Sequence, residues 1–451
     1  MYIKRNFYQK LMDWKKESRH GTLEIQGTRQ VGKTFIINKF ADENYRHKLY
    51  INFFEPSGQQ FLECYYKAIA WTPGTPRPEH PLQDAFRLFD QSFEDTDDTV
   101  IIIDEIQESA EIYNRIREFT RQFQCQFIII DSYPGRVLAS EFRFSCGDVT
   151  SITLYPLSFE EFLAAANQEL FQQYLMVGSS ISEDHIFYQR LRSSYDIYCQ
   201  IGGYPSVVEK YLMTGSVRTC LDELARIADI FLNESMQYTD ISDIGIFREI
   251  FLNICHLLAM EKKSSRQDSI GNLLHNLVTK DGTRNLSEAT MMHAFNWLYL
   301  SKVIGFCGEI IELDILDFRP GRRAYFMDLG IANFYMNQAG IDEASIKDML
   351  NENYVYINLA KRLDFPGEIA FETPAFASYK DGEIDFYVQS LQERIRYAIR
   401  TNNDILAVDT SKAALKAGKV DYLLYLTDDT HGSVDGKRII MPIYSLERFH
   451  F

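Results

Sequence analysis

The sequence predicts an α/β fold built around a parallel sheet, and three stretches support this prediction. Residues 23–40 (LEIQGTRQVGKTFIINKF) contain a short apolar run, a glycine-rich loop and an amphipathic segment, in the order strand, loop, helix. Residues 99–107 (TVIIIDEIQ) and 126–130 (QFIII) contain runs of isoleucine, which are typical of strands buried on both faces of a parallel sheet. We expect a further strand over 47–54 and a helix over 5–17.

The glycine-rich loop fits the pattern G-x-x-x-x-G-K-[ST] at every fixed position, in the residues Gly27, Thr28, Arg29, Gln30, Val31, Gly32, Lys33 and Thr34. Two glycines let such a loop turn so tightly that successive backbone N–H groups point at a phosphate. Lys33 is then expected to face the β- and γ-phosphates, and the hydroxyl of Thr34 to hold Mg²⁺. A chance match occurs in about 1 in 100 chains of this length. The strand and helix on either side make chance less probable still, so we predict a nucleotide site.

Two carboxylates follow the isoleucine strand at 99–107. Asp104 is predicted to bind Mg²⁺, and Glu105 to orient and deprotonate an attacking water. Alone, an apolar strand that ends in Asp-Glu is often only a strand end with a helix cap. After a phosphate-binding loop, the pattern favours nucleotide hydrolysis.

The strand at 126–130 ends in Asp131 and Ser132. One interpretation is a polar residue that senses the γ-phosphate, although a second carboxylate would repel phosphate unless Mg²⁺ or a base intervenes. The other is that Asp131 or Ser132 caps the next turn. The sequence favours neither.

Composition excludes several classes of protein. The chain has 451 residues, 46% of them hydrophobic and 24% charged, which are globular values that predict two to four domains. A net charge of −16 argues against a general nucleic-acid coat. The seven cysteines are scattered without C-x-x-C spacing, which favours reduced thiols. No signal peptide and no run of about 20 apolar residues is apparent, so we expect a soluble, cytoplasmic protein.

A family resemblance extends over most of the chain. The chain resembles a family of prokaryotic AAA-like ATPases that carry a winged helix and a C-terminal domain related to restriction-endonuclease folds. The resemblance rests on these stretches, which occur in the family's order: IKRNFYQKLMDWK (3–15), GTRQVGKT (27–34), YINF (50–53), IIIDEIQ (101–107), LYPLSFEEFL (154–163), GGYP (202–205), AYFMDLGIANF (324–334), NENYVYINLAKR (351–362) and GEIDFYV (382–388). PLSFEEFL and GGYP are the distinctive stretches.

Two departures from the family pattern bear on activity. Family members usually have Thr-Gly-Ser after the third strand, where this chain has Asp131-Ser132-Tyr133, and Gly-Arg before the PLSF segment, where it has Gly147-Asp148. The second change removes a cation that could stabilise transition-state charge. Arg136 and Arg143 are candidate substitutes. The resemblance therefore implies ATP binding more firmly than fast hydrolysis.

The resemblance implies four domains. These are an AAA-like ATP-binding domain over 1–157, a helical lid packed on it over 158–243, a winged helix over 244–323 and a nuclease-like α/β domain over 324–451. In the winged helix, Ser287 is expected to cap the third helix, and residues 319–323 to form a basic turn. Because residues 244–323 carry ten Lys/Arg against nine Asp/Glu, a structural or protein-contact role is slightly favoured over DNA reading.

The last domain lacks a complete nuclease site. The resemblance puts catalytic acids near Glu372 and Asp385, but the expected E-x-K reads Arg400-Thr401-Asn402. A cation replaces a carboxylate and an amide replaces the lysine, so nuclease activity is not expected. An alternative alignment would complete the site with Glu372, Glu383 or Asp404.

The sequence thus predicts a protein that binds ATP with Mg²⁺, hydrolyses it slowly and acts as a nucleotide-controlled switch. In such a switch, the nucleotide state would move the lid and winged helix relative to the ATP-binding core. Two alternatives stay open: an ATP-licensed protein that binds or processes nucleic acid, and an adaptor that binds ATP without hydrolysis. A protein is one candidate partner, and a nucleic-acid partner is less supported. We expect no membrane contact, and the sequence does not determine the oligomeric state.

Overall fold

The computed structural model describes most of the chain. The described residues are 2–17, 21–71, 79–132, 149–177, 185–238, 244–260, 269–279, 287–363, 368–370, 373–380, 382–401, 410–428 and 432–451. They form two compact units. We call residues 4–154 the N-terminal unit, and residues 155–451 with the first three residues the C-terminal unit.

The described part of the N-terminal unit is a parallel sheet with helices between its strands. The sheet order is β2-β3-β4-β1-β5, and every pairing is parallel. The elements are α1 (Phe7–Glu17), β1 (Thr22–Gln26), α2 (Lys33–Asn44), β2 (His47–Asn52), α3 (Pro56–Ile69), α4 (Pro81–Phe89), β3 (Thr99–Asp104), α5 (Ala110–Tyr113), α6 (Ile116–Gln122), β4 (Gln126–Ile130) and β5 (Val149–Thr153). The expected α/β fold with a parallel sheet is confirmed.

The isoleucine strands lie in the middle of this sheet. Every residue of β3 and β4 is buried, as the runs of apolar residues predict for strands covered on both faces. On one face, the ring of Phe127 stacks on Phe119 of α6 at a centroid distance of 4.5 Å. Because β3 and β4 are parallel neighbours of one another, and β4 also pairs with β1, their carboxyl ends meet at one edge of the sheet.

The C-terminal unit begins with helices and continues into a mixed sheet. Its described helices are α7 (Phe159–Ala166), α8 (Gln168–Val177), α9 (His185–Ile201), α10 (Pro205–Thr214), α11 (Val217–Tyr238), α12 (Ile244–Met260), α13 (Ile270–Thr279), α14 (Glu288–Leu300), α15 (Leu329–Gln338), α16 (Glu343–Leu363) and α17 (Thr410–Lys416). Its described strands are β6 (Ile304–Ile311), β7 (Phe318–Phe326), β8 (Ala375–Tyr379), β9 (Gly382–Gln389), β10 (Arg396–Arg400), β11 (Tyr422–Thr427), β12 (Ser433–Asp435) and β13 (Arg438–Pro442). They pair in the order β12-β13-β11-β10-β9-β8-β6-β7.

The hairpin of β6 and β7 is part of this sheet. Strand β6 pairs with β7 in antiparallel fashion and with β8 in parallel, so residues assigned from sequence to two domains share one sheet. The prediction of a basic turn at 319–323 is wrong, because these residues lie within β7. The chain turns earlier, where Glu312 and Leu313 adopt left-handed φ angles of 50° and 56°. Helices α12 to α14 lie where the winged helix was expected, and the side chain of Ser287 accepts a hydrogen bond from Thr290 N at 3.1 Å.

The two distinctive stretches converge inside the C-terminal unit with a third stretch of the resemblance, AYFMDLGIANF. Gly203 N donates to Asp328 Oδ2 at 2.7 Å, and Gly203 O accepts from Leu157 N at 2.7 Å. A side chain at Gly330 would overlap the carbonyl oxygen of Ile201. PLSF, GGYP and the DLG of 328–330 therefore form a close-packed junction between α9 and α15, which explains their small and acidic residues physically.

Candidate nucleotide-binding site

The glycine-rich loop joins β1 to α2. Gly27 and Gly32 have φ angles of +141° and +90°, which residues with a Cβ rarely adopt. A side chain at Gly27 would also overlap the carbonyl oxygen of Leu154. Helix α2 begins at Lys33, and its N-terminal end points its positive dipole at the loop. The loop thus has the backbone that a phosphate-binding turn requires.

The ammonium of Lys33 lies inside the loop. Its Nζ donates to Gly27 O at 2.7 Å and to Thr28 O at 3.0 Å, and the residue is only 6% exposed. Burial lowers the pKa of Lys33 to about 8, although nearby carboxylates oppose this shift. An anion in the loop would favour the charged ammonium, so the arrangement suits a phosphate.

Thr34 and Asp104 meet at the edge of the sheet. Thr34 Oγ1 donates to Asp104 Oδ2 at 2.7 Å, and Tyr50 OH donates to the same oxygen at 2.8 Å. Asp104 Oδ1 accepts from Glu105 N at 3.0 Å. A hydroxyl and a carboxylate are oxygen donors of the kind that Mg²⁺ prefers, so this pair fits the predicted ion.

Glu105 follows the last residue of β3 and adopts a left-handed conformation with a φ of 53°. Its carboxylate accepts from Gln107 Nε2 at 2.6 Å and from Ser132 Oγ at 3.1 Å, and Arg29 Nη2 lies 3.6 Å from Oε1. Burial raises the pKa of Glu105, which makes the carboxylate a stronger base than an exposed glutamate. The predicted base is thus held by polar neighbours from three segments.

The end of β4 contributes to the same place. Asp131 is buried, its N–H donates to Ile25 O at 3.1 Å, and its negative charge raises the pKa of Lys33. Ser132 contacts Glu105, so the tip of the strand reaches the predicted base. Residues 133–148, which include Arg136, Arg143 and Asp148, lie outside the described residues.

Three residues at this site were not predicted from the sequence. Arg5 Nη1 donates to Val31 O at 3.2 Å, Tyr50 binds Asp104, and Gln107 binds Glu105. Arg5 and Tyr50 each lie in a stretch that supports the family resemblance. The family resemblance was therefore the signal that could have identified Arg5 and Tyr50. The residues around them do not by themselves predict a contact with the nucleotide site.

The described residues at the expected nuclease site form hydrogen bonds and an ion pair with one another. Arg400 Nη1 lies 3.2 Å from Asp385 Oδ1 and donates to Glu383 O at 2.6 Å. Asp385 Oδ2 accepts from Thr401 N at 2.8 Å and Thr401 Oγ1 at 3.1 Å. Across the residues that the structure describes, no group of three or more His, Cys, Asp or Glu could hold a metal ion. Glu372, Asn402 and Asp404 lie outside them.

A second arginine extends this network, and the sequence analysis missed it. Arg323 Nη2 lies 2.7 Å from Glu383 Oε1, and its Nη1 lies 3.8 Å from Glu352 Oε1. Glu352 is also bonded to the hydroxyl of Tyr325. Two guanidinium groups therefore neutralise the carboxylates of this region.

Comparison with known proteins agrees with the fold of the N-terminal unit. Residues 19–163 match the family model of the AAA domain, so this part of the chain is an AAA domain of the P-loop ATPase type. Comparison with curated proteins gives no match. None of the described helices is long and apolar enough to cross a bilayer.

Several solved structures are similar to the chain at low identity. Cdc6p from Pyrobaculum aerophilum is 12% identical over 78% of this chain and 97% of that one, with a TM-score of 0.26. The ORC1 protein of Aeropyrum pernix in complex with DNA is 11% identical over 77% and 91%, with a TM-score of 0.28. A signal transduction ATPase with numerous domains from Pyrococcus horikoshii, which has a tetratricopeptide repeat sensor, is 11% identical over 80% and 47%, with a TM-score of 0.28.

Proposed function

We propose that this protein binds ATP with Mg²⁺, hydrolyses it slowly and acts as a nucleotide-controlled switch. One observation carries the proposal. In an AAA domain, a loop of the phosphate-binding type brings the Lys33 ammonium, the Thr34 hydroxyl and the Asp104 carboxylate together at the edge of the sheet. Lys33 and Thr34 are neighbours in the loop, whereas Asp104 lies 70 residues further along the chain, and each group has the chemistry that its predicted role needs.

Phosphate binding follows from the loop and its lysine. The backbone N–H groups of the loop and the start of α2 would bind phosphate oxygens, and Lys33 would exchange its two carbonyl acceptors for them. The pKa of Lys33 is about 8 without a ligand, and a bound anion raises it, so binding at higher pH requires the ammonium to take up a proton from solution. ATP affinity should therefore weaken above about pH 8.

Thr34 and Asp104 would hold Mg²⁺, with Tyr50 orienting the carboxylate. When bound, the ion neutralises phosphate charge and acts as a Lewis acid. The residues of the chain do the rest. Glu105 takes the proton of the attacking water, and Ser132 and Gln107 hold its carboxylate in place.

Slow turnover is supported by two features of the same site. The carboxylate of Glu105 is bonded to Gln107 and Ser132, so it must exchange partners before it can act as a base. In addition, Asp148 stands where the family commonly has an arginine, and a missing arginine of this kind reduces phosphoryl transfer by orders of magnitude.

We also propose that the domains over 158–243, 244–323 and 324–451 serve as lid, winged helix and inactive nuclease-like domain. Helix α14 would be the recognition helix, and it contains no Lys or Arg. Its exposed side chains include His293 and Asn296. Because DNA affinity comes mainly from neutralised phosphates, this helix better suits contact with a protein. The pairing of Arg400 with Asp385 supports the absence of nuclease activity.

The test is thermal unfolding with and without Mg·ATP. ATP at about 100 times its Kd should stabilise the protein by about 2.7 kcal/mol, and Lys33→Ala should abolish the rise in melting temperature. Lys39→Ala is the matched control, since that lysine pairs with Glu43 on the outer face of α2. Glu105→Gln should keep the thermal shift and lose phosphate release, because an amide takes no proton from water. An undiminished shift in Lys33→Ala would refute the site.

A further inference from the structure

The side chain of Arg29 lies beside the predicted base. Arg29 is the third residue of the loop, and its Nη2 is 3.6 Å from Glu105 Oε1. Its guanidinium also lies over the ring of Phe54, at 5.3 Å from the centroid. The side chain is 32% exposed, against 12% for Glu105. A cation of the loop thus reaches the carboxylate from the solvent side.

We propose that Arg29 supplies, from within the loop, a positive charge that stabilises the transferred phosphoryl group. The proposal rests on the proposed ATPase function. In that reaction, the oxygen of water attacks the γ-phosphorus and the bond to the β-phosphate oxygen breaks. Glu105 takes the proton of the water, and the bonding electrons leave with ADP. Negative charge on the phosphoryl and leaving oxygens is what a guanidinium stabilises.

The neighbouring cation, Lys33, is less suited to this role. It is buried and held by two loop carbonyls, so it serves the bound phosphates from the inside of the loop. Arg29 is partly exposed, and its guanidinium lies near the carboxylate of Glu105. A triphosphate in the loop offers the guanidinium an alternative anion within the same short segment.

Arg29 has a different neighbour in each state of the site. Without a ligand, its guanidinium faces the carboxylate of Glu105. With ATP bound, it turns to the transferred phosphoryl group, so Arg29 positions Glu105 in the first state and stabilises charge in the second.

The experiment compares the full chain with Arg29→Ala and Arg29→Lys, with Arg87→Ala as the control. Arg87 is an exposed arginine of α4 that pairs with Asp84. Arg29→Ala should lower kcat about 100-fold or more, with KM changed less than about 3-fold, since an arginine of this kind is worth about 10³ to 10⁵ in rate. Arg29→Lys should recover part of the rate, because it keeps the charge but not the planar fork.

A kcat within about 3-fold of the parent in Arg29→Ala would overturn the proposal. Loss of the ATP-induced thermal shift in that variant would also overturn it, because Arg29 would then act in binding. A parent that binds ATP in a Lys33-dependent manner but shows no turnover overturns this inference and the proposed hydrolysis, and it leaves the proposed ATP binding standing. If Lys33→Ala keeps the full shift, the proposed function itself fails. Melting temperatures without ATP show whether each variant is folded.

Discussion

Replacing Asp328 with asparagine should flatten the pH dependence of stability. Asp328 is buried, caps α15 by accepting from Ile331 N at 3.0 Å, and accepts from Gly203 N at 2.7 Å. Burial raises the pKa of its carboxyl from 3.8 to about 6, although these backbone donors oppose the shift. The native state therefore binds the proton more tightly than the unfolded chain.

The difference between the native and unfolded pKa of Asp328 sets the sign and size of its contribution to stability. A group with a raised pKa contributes its full stabilisation below its ordinary pKa and loses it as the pH rises through about 6. A shift of two units corresponds to about 3 kcal/mol in total. About 1.4 kcal/mol of that falls between about pH 5 and about pH 8. Asparagine cannot titrate, so the variant lacks this part of the pH dependence.

The assay is urea unfolding of the full chain at both pH values. Other buried acids, such as Glu160 with a pKa raised to about 7 by burial, contribute to parent and variant alike and cancel in the comparison. From about pH 5 to about pH 8, the parent should lose about 1.4 kcal/mol more stability than Asp328→Asn. Asp342→Asn is the control, since Asp342 also accepts from a helix N–H but is exposed. Equal pH dependence in parent and Asp328→Asn would refute the reasoning.

Three further predictions test other parts of the structure. Incubated with plasmid or single-stranded DNA and Mg²⁺ or Mn²⁺, with or without ATP, the protein should leave the DNA intact. Cleavage that Asp385→Ala removes would contradict this prediction. Gly330→Ala should lower the melting temperature through overpacking that costs about 1–3 kcal/mol. Gly340→Ala, with a φ of +71° but open space, should cost only about 1 kcal/mol, so equal losses would count against the junction. Tyr50→Phe should weaken Mg²⁺-dependent ATP binding about 2- to 10-fold by removing the hydrogen bond to Asp104, and an unchanged Mg²⁺ titration of the thermal shift would exclude that role.

Local pattern was enough to predict the elements around the nucleotide site. The spacing of Gly27, Gly32 and Lys33 predicts a loop and a helix start because glycine geometry and helix termini depend on a few adjacent residues. The isoleucine runs predict β3 and β4 because consecutive apolar residues suit a strand that is covered on both faces. Parallel strands end at one edge, so the meeting of Thr34 with Asp104 also follows from sequence.

Tertiary structure alone decided which side chains tune that site. The contacts of Tyr50 with Asp104 and of Arg29 with Glu105 join segments whose separation in sequence says nothing about distance. The turn expected at 319–323 is a strand because it pairs with β6, and that pairing competes with the local preference of Pro and Gly for turns. A local pattern records what a residue prefers, whereas these contacts depend on what the rest of the chain brings beside it.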